Sequence, residues 1–204
     1  LAAVAVAWVE GRPLDRVLAE LEGLPPRPGR MQLEPLPGGA WLIRDEFKAS
    51  LETIEAALDV MAELPGRRIV VLGSVSEPPG SQGPICRHLG QRLAQIASRV
   101  IVVGPLFQRY AAGAAAAGMP RTALVDAKRS VRAAWEAVRA DLEPGDIVLV
   151  KGRDTERLDR VALALQGREV RCEIEFCDLM GVRCQVCPML ERGWTGAQES
   201  TRDG

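Results

Sequence analysis

The residues with the most legible chemistry lie near the end of the chain. They run Cys172-x4-Cys177-x6-Cys184-x2-Cys187. Cys184-Gln-Val-Cys187 has the knuckle spacing of a structural zinc site, and four thiolates close a tetrahedron around zinc. The x4 spacing is at the edge of the usual range, and an iron–sulfur cluster also fits four cysteines. Alternatively, Cys172 and Cys177 belong to a terminal strand over 169–176 and pack as small hydrophobes. The expectation is a structural metal centre held by all four thiols, with zinc ahead of iron–sulfur. Further upstream, Lys151-Gly152-Arg153-Asp154 stands where a strand hands over to a helix. Its basic pair could meet an anion, aided by the amide donors of the helix start. The competing role for Asp154 or Thr155 is to cap that helix, with Arg153 in solvent. Asp45 ends another strand, as a hydroxyl or ribose acceptor or as a turn former. His88 is the lone histidine; within a helix it reads as a packing or surface residue. Neither GxGxxG nor GxxxxGK[ST] occurs, so the chain carries no phosphate cradle of its own.

The elements that must position these residues follow from periodicity. Leu14, Val17, Leu18 and Leu21 have helical spacing, so 1–9 and 13–21 read as short helices, and Pro25-Pro26-Arg27-Pro28-Gly29 is a hard break. Beyond it, 31–36 and 40–45 form a strand pair across Pro37-Gly38-Gly39. Short apolar runs at 68–73, 100–104, 122–126 and 146–151 read as strands buried on both faces. Helices at 51–64, 83–97, 107–117, 128–142 and 155–165 alternate with them. The fold class is therefore α/β: a Rossmann-like, mostly parallel open sheet with helices on both faces, plus a Cys-rich C-terminal tail. Ligands of such sheets sit beyond the carboxyl ends of the strands, which selects the loops after Asp45, Gly73, Gly104, Asp126 and Lys151.

Composition narrows the function classes. The 204 residues carry a net charge of -1 and 4% aromatics, which gives no pull toward nucleic acid and no base-stacking platform. No apolar run reaches the roughly 18 residues of a membrane span. A main body with the single thiol Cys86 suits a reducing cytoplasm. The apolar start, without Met or a basic region, reads as a helix cut through its middle, hence a fragment.

Four ordered elements resemble the C-terminal domain of the Mur ligases, nearest the D-alanyl-D-alanine-adding branch. They are Pro28-Gly29-Arg30-Met31; Leu42-Ile43-Arg44-Asp45 through Lys48-Ala49-Ser50; Ile69-Val70-Val71-Leu72-Gly73 with Glu77, Gly80, Ser81, His88 and Gly90; and Leu149-Val150-Lys151-Gly152-Arg153. Residues 1–23 also look like the end of that family's central ATPase domain. The resemblance implies residues 1–28 as the remnant of that domain and linker and 29–168 as the C-terminal domain. A possible metal-binding segment at 169–194 and a disordered tail at 195–204 follow from the residues themselves. It further implies an ATP-dependent carboxylate–amine ligase acting through an acyl phosphate, with ATP and Mg held mainly elsewhere. The implied partners are an amino acid or peptide acceptor and a carboxylate donor, without nucleic acid or membrane. By the same resemblance Arg30 and Asp45 would meet the nucleotide, while Lys48, Ser50, Glu77, Lys151, Arg153 and Asp154 would face the acceptor. Arg44, Lys48, Ser50, Ser76-Glu77-Pro78-Pro79 and Arg153-Asp154 depart from the family pattern, so the acceptor is left open. Those departures also motivate the alternative, a non-catalytic ligase-derived module that binds a nucleotide or a protein.

Overall fold

The structure, a computed structural model, describes residues 2–179 and 181–195. Its centre is a six-stranded sheet in the order β1-β2-β6-β3-β4-β5. The strands are β1 (Gln32–Pro35), β2 (Trp41–Asp45), β3 (Arg68–Leu72), β4 (Arg99–Val102), β5 (Leu124–Asp126) and β6 (Ile147–Lys151). Only β1 runs antiparallel, joined to β2 by a hairpin in which Gly38 and Gly39 take φ of 92° and 88°. Such values suit glycine, which has no Cβ to clash. β6 is the last strand in sequence yet lies between β2 and β3, pairing Asp45 with Lys151 and Leu72 with Lys151. All five of its residues are buried.

Strand alternation divides the core. Val70, Leu72, Ile43 and Leu149 face one layer, built by α3 (Leu51–Glu63), α4 (Gln82–Ile96) and α5 (Phe107–Ala116). Ile69, Val71, Leu42 and Val148 face the other, built by α6 (Val131–Arg139) and α7 (Asp159–Leu165). This is the open, doubly covered sheet expected from the apolar runs. Ahead of it, α1 (Ala2–Val9) and α2 (Leu14–Glu22) form a helical hairpin in which no residue is buried. Among the described residues no helix is long and apolar enough to cross a membrane.

Several boundaries differ from the sequence reading. The strand over 122–126 is only β5, preceded by a 3-10 turn at Arg121–Ala123. α6 begins at Val131 because the Ser130 hydroxyl accepts the Ala133 amide at 3.0 Å, a side-chain cap. The helix over 155–165 is broken: a 3-10 turn at Asp154–Glu156 ends at Arg157, whose φ is 54°, before α7 starts. No strand forms over 169–176; Cys172 makes one isolated parallel bridge with Trp194. The segment closes over α7, all seven residues of which are buried. Apart from Thr195, the tail 195–204 lies outside the described residues.

Candidate functional site

The carboxyl rim of the sheet is organised by a buried ion pair. Register sets Asp45 beside Lys151, and the Lys151 ammonium lies 2.6 Å from Asp45 Oδ2 while donating to the Lys48 carbonyl at 2.6 Å. Lys151 is 1% exposed, so it sits inside β6 and not in the loop facing an acceptor. Burial pulls its pKa down, against the pull of Asp45 in the other direction. The other Asp45 oxygen accepts the Met31 amide at 3.2 Å, which fastens the linker to the sheet. Asp45 thus keeps lone pairs for a hydroxyl donor, with its rotamer already fixed. Next door, Arg44 donates to Glu46 Oε1 at 3.0 and 2.7 Å, with both side chains buried. Burial raises the Glu46 pKa, and Arg44 opposes that rise.

The loop after β2 carries Phe47, and guanidinium groups gather around its ring. Arg30 stands 4.6 Å from the ring centroid, Arg183 4.7 Å and Arg27 5.7 Å. Cation–π attraction holds them against an aromatic face at the rim. Their combined charge makes this the strongest candidate for meeting a polyphosphate. Arg30 was anticipated; Phe47, Arg27 and Arg183 were not, since Arg183 arrives from the Cys-rich tail.

The loops after β3 and β6 are stitched by Glu156. Its carboxylate accepts the Ser74 amide at 3.0 and 3.2 Å and the Arg153 amide at 3.4 Å. Gly73 and Gly152 make room: a Cβ on Gly73 would overlap the Glu156 carboxylate, and one on Gly152 would lie 2.6 Å from Leu158 Cδ1. Beside them lies a cavity of about 190 Å³ lined by Ser74, Gly104, Arg129, Arg153, Glu156 and Glu175, among others. Arg153 therefore faces a cavity at the sheet's carboxyl end. Asp154 instead pairs with Arg157 at 2.9 Å. Ser50 precedes α3 and donates to Thr53 Oγ1 at 3.3 Å. Lys48 and Glu77 are exposed, and Glu77 holds φ at 47°. The structure thus joins Asp45, Lys151 and the Lys48 backbone in one cluster and places Arg153 in a separate cavity. His88 is 59% exposed and pairs with Glu55 at 3.0 Å, a surface histidine as read from the sequence.

The four tail cysteines line one cavity of about 640 Å³, together with Arg157, Ile174, Leu179, Met189 and Trp194. They are free thiols, and among the described residues no three Cys, His, Asp or Glu side chains are gathered tightly enough to hold one ion. Burial first, then Asp159, drives the Cys184 thiol well above its usual pKa.

The profile of the family described as Mur ligase, glutamate ligase domain, matches residues 29–153, more than half of the chain. The chain belongs to the Mur ligase family. It is 29% identical over 170 residues to the UDP-N-acetylmuramoyl-tripeptide–D-alanyl-D-alanine ligase of Escherichia coli (strain K12), and 32% identical over 191 residues to the enzyme of that name from Mycobacterium tuberculosis (strain ATCC 25618 / H37Rv). Each match covers 81% of this chain and 36% of the relative, so this Mur ligase chain spans about a third of their length. Among solved structures, a MurF from Acinetobacter baumannii superposes with a TM-score of 0.67 at 22% identity, covering 82% of this chain and 36% of that one. The Thermotoga maritima MurF ligase in complex with ADP gives 0.65 at 20% identity, covering 81% and 36%. The Mur ligase C-terminal fold is therefore the one expected from the ordered motifs.

Proposed function

We propose that this chain is the acceptor-side domain of a cytoplasmic, ATP-dependent carboxylate–amine ligase of peptidoglycan peptide synthesis. What carries the reading is the coincidence of the family match with a carboxyl rim that holds Arg30 just before β1, Asp45 at the end of β2 and Arg153 just after β6, three neighbouring strands of the sheet. The relatives are named as ligases that add D-alanyl-D-alanine, and one structural neighbour contains ADP. In the reaction a carboxylate oxygen attacks the γ-phosphorus of ATP, giving an acyl phosphate and ADP. The amine nitrogen then attacks the acyl carbon, the carbon–oxygen bond to phosphate breaks, and an amide forms as the amine loses a proton.

Within this scheme, Arg30, with Arg27 and Arg183 beside it, meets the nucleotide phosphates, and Asp45 accepts from the ribose. Lys151 acts as a positioning residue, fixing Asp45 and the Lys48 loop. Ser50, Lys48, Glu77, Arg153 and Asp154 border the path of the amine-bearing substrate, and Arg153 is the group placed to fix its carboxylate. Closure of this rim over the acyl phosphate would exclude the water that competes with the amine. Among the described residues there is no ligand set for Mg²⁺, and no phosphate-cradling glycine loop occurs in the sequence. The chain covers 36% of its relatives' length, and phosphoryl transfer is assigned to the part of the ligase that it does not span.

The test is ADP release by the complete ligase with amino acids and dipeptides as acceptors. Arg153→Ala should raise the KM for the amine about tenfold, equivalent to ~1.4 kcal/mol, with the KM for ATP unchanged. Arg30→Ala should do the reverse. A complete protein that turns over no ATP with any amine would overturn the reading in favour of a non-catalytic binding module.

A further inference from the structure

We propose that Cys172, Cys177, Cys184 and Cys187 ligate one iron–sulfur cluster that clips the C-terminal segment onto α7 and the rim. Four cysteines distant in sequence from Cys86 converge on a single cavity of about 640 Å³. Four thiolates on one zinc ion, at a bond length of about 2.3 Å, would stand about 3.8 Å apart. No such tight group exists among the described residues, and the cavity that all four cysteines line has room for a polynuclear core. Ile174, Leu179, Met189 and Trp194 give it the apolar wall that shields such a core from water. Cys187 is followed by Pro188, as is the last ligand of bacterial ferredoxin runs.

Charge is the second, independent observation. Arg160 is completely buried and makes no ion pair among the described residues. It donates to the Cys172 carbonyl at 2.7 Å and the Ile174 carbonyl at 2.5 Å, and its Nη1 lies 3.5 Å from Cys172 Sγ. A buried guanidinium without a counter-charge is strongly unfavourable. The buried Asp159 carboxylate does not meet it, accepting the Cys184 amide at 3.1 Å instead. Arg157, 2% exposed, lines the cavity and donates to the Leu179 and Val182 carbonyls. A cluster held by four thiolates carries net negative charge, which supplies what Arg160 lacks. The role is structural: the ligand Cys184 adjoins Arg183 at the Phe47 ring, and Glu175 and Phe176 line the Arg153 cavity.

The 204-residue protein, purified anaerobically and separately reconstituted with ferrous iron and sulfide, provides the test. Iron and acid-labile sulfide in equal amounts, about four of each per chain, with visible thiolate-to-iron absorption, are expected. Cys172→Ser and Cys187→Ser should each abolish that absorption, and Cys86→Ala should keep it. Protease digestion keeps the test readable if a variant folds poorly: loss of cluster should expose the segment after Leu165 while the sheet domain survives. One zinc per chain without sulfide would overturn the proposal, as would a protein that takes up neither metal. None of these outcomes depends on ligase activity.

Discussion

Asp45 and Lys151 show how one pair can carry both stability and function. The ammonium is nearly sealed from solvent and lies 2.6 Å from its carboxylate, so removing either partner strands a buried charge. Breaking such a pair costs about 3–5 kcal/mol, against roughly 1 kcal/mol for an exposed one. Asp45→Ala should therefore lower the melting temperature by about 10 °C in a domain of this size. Any loss of activity in that variant mixes a lost ribose contact with a loosened rim. The double variant Asp45→Leu, Lys151→Met removes both charges and should recover most of the stability. Thermal unfolding of the parent and these two variants decides the matter, and an Asp45→Ala variant as stable as the parent would show that the pair is solvated. Sequence pattern identified both residues but not their contact. They lie on strands far apart in the chain, and β6 slots between β2 and β3 only in the folded sheet.

At the scale of elements, the closest approach is between α4 and α5. Gly90 of α4 faces the Tyr110 carbonyl of α5, and Gly113 of α5 faces the Arg87 carbonyl of α4, each with no room for a methyl group. Two effects oppose each other when Gly113 becomes Ala. Helix propensity favours alanine by about 1 kcal/mol. Overpacking against a rigid backbone carbonyl costs about 1–3 kcal/mol, and here no side chain can swing away. The clash should win, giving net destabilisation of about 1–2 kcal/mol by denaturant unfolding. Gly83, in the first turn of α4, is the control, because nothing lies within 4 Å of its added Cβ. Gly83→Ala should be neutral or stabilise by about 0.5 kcal/mol. Equal effects at the two positions would refute the packing argument. Helix α4 was visible in the sequence through its apolar period, but the tight crossing was not, since a helical glycine looks alike in contact and in solvent. The break before α7 was hidden for a related reason. Arg157 adopts its left-handed backbone where its guanidinium reaches the Leu179 and Val182 carbonyls, contacts that local pattern cannot report. Glu156 was missed likewise, because its partner Ser74 is 82 residues away.

Across the whole molecule the two ends of the sheet are held by different means. The carboxyl end gathers the candidate binding groups and the Cys-rich segment, whereas the amino end is closed by ion pairs. Arg67, just before β3, donates to Asp146 at 2.9 and 2.6 Å and to Asp141 at 2.9 Å, and Asp141 also meets Arg99 at 3.3 Å. Asp146 additionally accepts the Glu143 amide at 2.7 Å, so the turn entering β6 depends on its charge. Arg67 foremost, with the Glu143 amide adding to it, holds the Asp146 pKa below the ordinary aspartate value. A carboxylate whose pKa falls on folding contributes stability that is complete above its unfolded value, about 3.9. That contribution is lost as pH falls from there through the depressed folded value. Acid unfolding should therefore steepen below about pH 4, and Asp146→Asn should flatten that limb while lowering stability at neutral pH. Arg67→Ala leaves the buried carboxylate with the Glu143 amide alone and should cost about 1–3 kcal/mol. Chemical unfolding across the acid range checks the sign: a parent and an Asp146→Asn variant with parallel pH dependence would mean that Asp146 titrates alike in both states. Because this network lies at the opposite end of the sheet from Arg30, Asp45 and Arg153, Arg67→Ala should leave the KM for ATP and for the amine unchanged in the complete ligase at temperatures where it stays folded. A shift in either constant would show that the two ends are mechanically coupled through β3 and β6.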